Sequence, residues 1–268
     1  RGSKGISFIE SLARGIPTEG HGELKFSSFV GLPKLYQYPA KGMTSDVCVI
    51  SGEKHGNGLY VASASSTVVV SVYKIFDSSD LENDASWHSN NRYNVVTGIY
   101  NGDTVTLVDD EPVYGEWVQL QLPEPIKLFV YILVGRVQIG YQLEFSRRPC
   151  SFVMAGSNDG STWTKVDQRQ NFYYDTAKTT FVVENKNVGA FKYYRLIGQI
   201  MGNSDQSVHR QYFNFAELIF FGNPVNVSEN MFNPRMWLRM EELINKENHQ
   251  DIKVWPAAIP SCPPAFAY

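Results

Sequence analysis

A chain of 268 residues with 43% hydrophobic and 19% charged residues can bury a core, which excludes an intrinsically disordered protein. Its net charge of −3 offers no basic face to a nucleic-acid backbone, and no apolar run approaches the roughly 18 residues of a membrane span. Aromatic residues make up 13% of the chain and favour a β-rich fold, because they pack well on pleated sheets. We therefore expect no nucleic-acid partner and no membrane span.

Residues 1–45 are predicted to form an N-terminal arm with one short helix. Ser7 and Glu10 fit a capping box at its start. A helix of one or two turns is not stable alone, so its apolar side must contact a partner or a host domain. The predicted contact residues are Phe8, Ile9 and Leu12.

A series of short strands is predicted from Cys48 onward. Residues 60–66 read as a strand, and the β-branched run 68–73 favours another. Residues 115–122 alternate between apolar and polar side chains and predict a half-buried strand. Pro123 and Pro125 break this pattern, and the next predicted strand covers residues 126–135.

The stretch 149–222 organises the rest of the predicted domain. Asp159 and Gly160 separate two strand-like runs, which predicts a hairpin, since glycine accepts positive φ without steric cost. Residues 193–197 and 215–222 add two further β-type runs. Many short strands with few helices predict an all-β antiparallel sandwich over residues 46–222.

Residues 223–268 are predicted to form a C-terminal arm. Pro234 suits the first position of a helix over about 234–247, and a proline-rich strap follows it. One face of this helix is apolar and is predicted to contact a partner or the protein's own domain. Its residues are Met236, Trp237, Met240, Leu243 and Ile244.

The three cysteines, Cys48, Cys150 and Cys262, are too widely spaced for a metal finger or a C-x-x-C motif. Reduced structural thiols are the simpler interpretation, and one disulfide with one free thiol is the alternative.

The sequence contains no nucleophile elbow, zinc-protease motif, phosphate loop or dinucleotide fingerprint, so we expect no enzyme.

Eight sequence blocks occur in the order typical of one known family. They are residues 60–66 (YVASASS), 76–77 (FD), 86–87 (SW), 115–123 (GEWVQLQLP), 147–149 (RRP), 152–163 (FVMAGSNDGSTW), 193–196 (YYRL) and 215–222 (FAELIFFG). In this order they resemble the discoidin domain, the coagulation-factor C-terminal type of galactose-binding-like jelly roll. The blocks at 147–163 are most similar to discoidin-type domains in suspected virion proteins of large DNA viruses of algae and protists.

The resemblance implies a structural Ca²⁺ site near the start of the domain. Asp77 and Glu217 match the family's carboxylate positions, and Ser86 is a further candidate ligand. Ser78 stands where the family has glycine. The alternative is a solvated acidic loop in which Glu217 caps a turn.

The resemblance also implies ligand-binding loops at one end of the sandwich, which bind sugars, phospholipid or protein. A sugar site needs an aromatic platform and planar hydrogen-bonding groups. The loop candidates are Trp87, His88, Arg92, Tyr93, Arg136, Arg147, His209, Arg210 and Tyr212. The alternative for Trp87 is packing in the core or at its rim, and the alternative for Arg147 and Arg148 is pairing with nearby carboxylates.

Two functions are compatible with these patterns. The favoured hypothesis is a non-catalytic assembly protein, a minor capsid or other virion component that contacts neighbouring subunits through its two arms. The alternative is an extracellular, lectin-like carbohydrate-binding adhesion module, with or without dependence on Ca²⁺.

Overall fold

The computed structural model describes residues 35–68, 70–79, 87–136, 147–174, 176–185, 187–202 and 210–225, and the backbone of 23–24. The described strands are β1 Glu23–Leu24, β2 Leu35–Tyr38, β3 Val47–Ile50, β4 Gly58–Ala64, β5 Val105–Val108, β6 Glu111–Tyr114, β7 Glu116–Val134, β8 Pro149–Ser157, β9 Thr164–Arg169, β10 Lys178–Val182, β11 Phe191–Met201 and β12 Glu217–Pro224. A 3-10 helix covers Val72–Ile75. The described residues from Leu35 onward belong to one compact unit, and β1 belongs to another.

The long strand β7 takes part in both layers of the domain. Its first half pairs antiparallel with β11 and β4, and its second half pairs antiparallel with β12 and β10. One layer therefore has the order β3-β4-β7-β11-β8-β9, and the other has the order β2-β12-β7-β10. Pro123 and Pro125 lie between the two halves. The sequence predicted that these prolines end the strand. In the structure the strand continues through them, and its pairing partners change at this point.

Aromatic side chains pack the two layers face to face. The rings of Tyr131 and Phe152 lie 6.4 Å apart between centroids, and those of Tyr194 and Phe220 lie 5.5 Å apart. All four residues belong to one buried cluster, which forms the core of the sandwich. The predicted all-β antiparallel sandwich is confirmed.

The predicted hairpin around Gly160 is also confirmed. β8 and β9 pair antiparallel, and Gly160 has a φ of 76°, a value that favours glycine. The Asp159 carboxylate accepts hydrogen bonds from the main-chain N–H groups of Ser161 and Thr162 at 2.8 and 2.7 Å. These bonds hold the turn, so Asp159 has a structural role.

A second, smaller cluster lies on the outer face of the first layer. The β5–β6 ribbon packs there, and Val108 contacts a cluster that includes Trp163 and Ile197. The guanidinium of Arg195 lies between two rings, 3.8 Å from the Trp117 centroid and 4.0 Å from that of Trp163. No strand was predicted for β5 or β6.

Two sequence predictions need correction. The described residues of the β-branched run, 68 and 70–73, form no strand, and the run ends inside the 3-10 helix, whose Val72 and Ile75 are buried at the i, i+3 spacing of that helix. Strand β2 lies inside the segment predicted as an arm, yet it pairs with β12 through Tyr36 and Tyr38. The sandwich therefore begins before residue 46.

Several predictions fall outside the described residues. They are the short N-terminal helix with Phe8, Ile9 and Leu12, and the C-terminal helix with Met236, Trp237, Met240, Leu243 and Ile244. Cys48 and Cys150 are free thiols, and Cys262 lies outside the described part of the chain. No helix in the described ranges is both long and apolar enough to cross a bilayer.

Candidate functional site

Four of the nine predicted ligand-contact residues lie together at one end of the sandwich. They are His88, Arg136, Arg147 and Tyr212, and we name them the His88 cluster. Arg136 lies two residues after the end of β7, Arg147 lies two residues before β8, and Tyr212 precedes β12. The end of β7 pairs with the start of β12, which brings these connections to the same end of the domain.

Short contacts connect the members of the His88 cluster. Nη1 of Arg136 lies 3.3 Å from Nε2 of His88. The His88 and Tyr212 rings meet edge to face with centroids 5.9 Å apart, and the Arg147 guanidinium lies 5.6 Å from the Tyr212 centroid. Because arginine has only donors, Nε2 of His88 accepts this bond and the imidazole proton is on Nδ1.

The His88 imidazole is electrically neutral at physiological pH. The pKa of His88 is lowered to about 4. Burial is the largest cause, and the positive charges of Arg147 and Arg136 lower this pKa further. His88 and Tyr212 are half-buried, whereas Arg136 and Arg147 are 8% and 9% exposed. The solvent-accessible part of the cluster therefore comes mainly from the side chains of His88 and Tyr212, and the two arginines are nearly buried.

Asn214 positions this cluster and was not identified from the sequence. Its main chain forms an antiparallel bridge with His88, and its N–H donates to the Arg147 carbonyl at 3.0 Å. Its side-chain amide donates to the carbonyl of Trp87. Asn214 is 1% exposed and lies between the buried residues Phe213 and Phe215. A polar residue between two aromatic residues was the pattern from which the sequence could have indicated a buried amide.

Trp87 and Tyr93 do not present exposed rings, which corrects their proposed role as ligand contacts. The Trp87 ring is fully buried against Phe213, and its Nε1 donates to the Ser66 carbonyl at 3.0 Å. The Tyr93 hydroxyl donates to the Gly198 carbonyl at 2.9 Å. Both side chains therefore stabilise the core.

The remaining candidates have separate environments. Arg92 is exposed, and Nη1 of Arg210 donates to the carbonyl of Val96 at 2.7 Å. His209 lies outside the described residues.

The two carboxylates predicted to bind Ca²⁺ converge on one amide. The N–H of Ser79 donates to Asp77 at 2.9 Å and to Glu217 at 3.1 Å. Burial alone would raise the pKa of Asp77, but hydrogen bonds involving Glu217, Ser79 and Lys74 hold this pKa below its usual value. The ammonium group of Lys74 lies 3.1 Å from the Asp77 carboxylate and balances part of the charge.

The donor chemistry of this pair fits Ca²⁺, which prefers carboxylate and carbonyl oxygens. Glu217 is 1% exposed, and a second carboxylate beside it favours a cation in the same place. Among the described residues no group of three or more His, Cys, Asp or Glu side chains surrounds a common point. Asp77 and Glu217 would hold the ion together with other oxygens, and the candidate ligand Ser86 lies outside the described ranges.

Comparisons with known proteins give matches among solved structures. CpGH89CBM32-5 from Clostridium perfringens, in complex with GalNAc-β-1,3-galactose, is 14% identical over 61% of this chain and 95% of its own, with a TM-score of 0.40. The family 32 module of C. perfringens NanJ, in complex with galactose, is 13% identical over 60% and 93%, with a TM-score of 0.40. Chitosan-binding module 1 from Paenibacillus sp. IK-5 is 18% identical over 60% and 93%, with a TM-score of 0.39. No family model and no curated protein matches the sequence.

The domain is discoidin-like in its fold. Five of the eight sequence blocks that resemble this family fall in strands of the sandwich: block 60–66 contributes to β4, block 115–123 to β7, block 152–163 to β8, block 193–196 to β11 and block 215–222 to β12. The resemblance is therefore confirmed at the level of the fold. Membership of the discoidin family itself, and of its viral variety, remains a prediction.

Proposed function

We propose that this protein is a carbohydrate-binding module and that the His88 cluster is its sugar site. The observation that supports this most is the meeting of a half-buried tyrosine ring, a neutral imidazole and two guanidinium groups at one end of the sandwich. Sugar sites combine an aromatic surface with a few planar hydrogen-bonding groups in this way.

Each side chain has a distinct task in the proposed complex. The ring of Tyr212 packs against the apolar C–H face of a pyranose. His88 holds its proton on Nδ1 because Arg136 occupies Nε2, so the imidazole donates to a hydroxyl oxygen. Arg147 is nearly buried behind this surface, and its guanidinium beside the Tyr212 ring helps to fix the orientation of that ring.

The proposal is tested by a glycan array probed with the full chain, with and without Ca²⁺. Tyr212→Ala and His88→Ala are each expected to weaken binding of any glycan found at least about tenfold, as loss of a stacking or hydrogen-bonding group does. The matched control is Tyr173→Ala, because Tyr173 is a 66% exposed tyrosine on the β9–β10 connection.

Melting temperatures of the variants establish that they are folded. An array without any bound glycan contradicts the proposal. So does glycan binding that survives both Tyr212→Ala and His88→Ala.

A further inference from the structure

Strand β3 is an edge strand whose outward hydrogen-bonding groups can be assigned. Among the described residues it pairs with β4 alone, with Cys48 opposite Tyr60 and Val49 opposite Leu59. Just before the strand, the N–H of Ala62 donates to the carbonyl of Asp46 at 2.8 Å. In an antiparallel ladder the bonded pairs alternate, so Cys48 bonds towards β4 while Val47 and Val49 direct their N–H and C=O groups outward.

This edge lacks the features that usually prevent strand pairing. Val47 is 59% exposed and Val49 is 71% exposed, and the four residues of β3 include no charge and no proline. Neither the N–H nor the C=O of Val49 has a partner in the described part of the chain. The Val47 carbonyl accepts a bond from the Ser45 hydroxyl at 2.7 Å and retains a second lone pair.

We propose that β3 pairs antiparallel with β3 of a second copy of this chain, about a two-fold axis at Cys48. In this register Val47 of each copy lies opposite Val49 of the other. Both residues direct their main-chain groups outward, so the two valine pairs exchange four hydrogen bonds. Their exposed side chains then pack against each other on the solvent side, and the first layers of the two copies become one continuous sheet.

Charge at the ends of the strand is compatible with this two-fold contact. The strand itself is neutral, so no like charges oppose each other along the pairing. Beyond it, the ammonium of Lys41 and the carboxylate of Glu53 form an ion pair of 2.6 Å within each copy. Because these two charges neutralise each other within one copy, this pair adds no net charge at that end of the strand to oppose a two-fold contact.

Sedimentation of the full chain from about 1 to about 100 μM tests the proposal, since small interfaces give affinities in this range. A concentration-dependent monomer–dimer equilibrium is expected. Val49→Pro removes an outward N–H that takes no part in the β4 ladder, and it should weaken the dimer at least about tenfold. Val49→Lys tests the same edge without altering the backbone. The control Val96→Lys, at another valine that is 69% exposed, should have no effect.

Oxidative cross-linking tests the register. At a non-bonded antiparallel pair the two Cα atoms lie about 4.5 Å apart, within the range that a disulfide spans. Mild oxidation of the dimer should therefore link Cys48 to Cys48 of the partner copy. The linked dimer should disappear in Cys48→Ser and persist in Cys262→Ser.

Three results would each overturn the proposal. The first is a monomer at all concentrations up to about 100 μM, which leaves the edge for a different protein. The second is a dimer whose dissociation constant neither Val49→Pro nor Val49→Lys changes. The third is an oxidised dimer that mass spectrometry shows to lack the Cys48–Cys48 peptide.

Discussion

Tyr131 and Asp167 connect the two layers of the sandwich through a buried hydrogen bond. The Tyr131 hydroxyl, on the second half of β7, donates to the Asp167 carboxylate on β9 at 2.5 Å. The side chains are 0% and 3% exposed, and Nε of Arg169 donates to the same carboxylate at 3.0 Å. Burial raises the pKa of Asp167, and these two donors partly oppose that shift.

Replacing Tyr131 by phenylalanine is expected to lower the free energy of unfolding by about 1–3 kcal/mol, because a buried carboxylate loses one of its two donors. Urea denaturation of the wild type and the variant measures this. Tyr173→Phe removes a hydroxyl from an exposed tyrosine and should be neutral. A Tyr131→Phe variant as stable as the wild type would show that the bond makes no net contribution.

His88 should make stability depend on pH on the acid side of neutrality. Its pKa is about 4 in the folded protein against an ordinary 6.5, so between these values the unfolded chain binds more protons than the folded one. Stability therefore falls as pH drops from about 6.5 to about 4, by on the order of 1 kcal/mol once solvent screening is allowed for. Urea denaturation across this range should show a shallower decline for His88→Asn. An imidazole resonance of His88 that titrates near 6.5 by NMR would contradict the expectation.

Calcium is expected to stabilise the folded protein through Asp77 and Glu217. Adding Ca²⁺ to chelator-treated protein should raise the melting temperature by several degrees, because only the folded state brings the two carboxylates together. Glu217→Gln should abolish this increase. In the absence of Ca²⁺ the same variant should melt no lower than the wild type, since it removes one of two neighbouring negative charges.

The control for the calcium experiment is Glu111→Gln, at an exposed carboxylate on β6. It should preserve the response of the wild type. If Ca²⁺ leaves the wild type unchanged, the pair serves as a structural contact with Lys74 and Ser79.

Arg195→Lys should destabilise the outer face of the first layer by about 1–3 kcal/mol. The flat guanidinium stacks between Trp117 and Trp163 and donates to Thr106 at 2.9 Å, and an ammonium group cannot reproduce this geometry. Unfolding by urea, followed through tryptophan fluorescence, measures the change. Arg92→Lys, at an exposed arginine, is the matched substitution and should be neutral.

Strands in which apolar buried residues alternate with polar exposed residues could be predicted from the sequence. The β5–β6 ribbon could not. Val105 and Leu107 are exposed while Thr106 is buried, which inverts the usual amphipathic pattern. The inversion arises because the ribbon covers the first layer, where Thr106 accepts a hydrogen bond from Arg195. Only the tertiary contact gives these residues their environment, so periodicity could not identify the strands.

The residue types of the candidate site could be predicted, but their convergence could not. His88, Arg136 and Tyr212 were chosen as planar or aromatic side chains in loops, yet their contacts join residues far apart in the sequence. Trp87 was chosen on the same grounds and is instead buried against Phe213. Core packing was the alternative interpretation of Trp87 and is borne out, but the sequence could not identify Phe213 as its contact.

The assembly hypothesis depends on two arms of which only residues 35–45 and 223–225, together with the backbone of 23–24, lie in the described part of the chain. A virion location, capsid partners and the absence of catalysis therefore remain predictions. Deleting residues 1–34 and 226–268 separates the arms from the domain. Under the proposal made here, the trimmed domain should retain the glycan binding of the full chain.

Because β7 belongs to both layers of the sandwich, local unfolding of one layer affects the other. Separating β12 and β10 from the second half of β7 exposes the same continuous strand that β4 and β11 hold in the other layer. Neither layer can therefore open without disturbing a strand of its neighbour. Amide hydrogen exchange along β7 should accordingly show one common protection level on both sides of its prolines, as in a single cooperative unit.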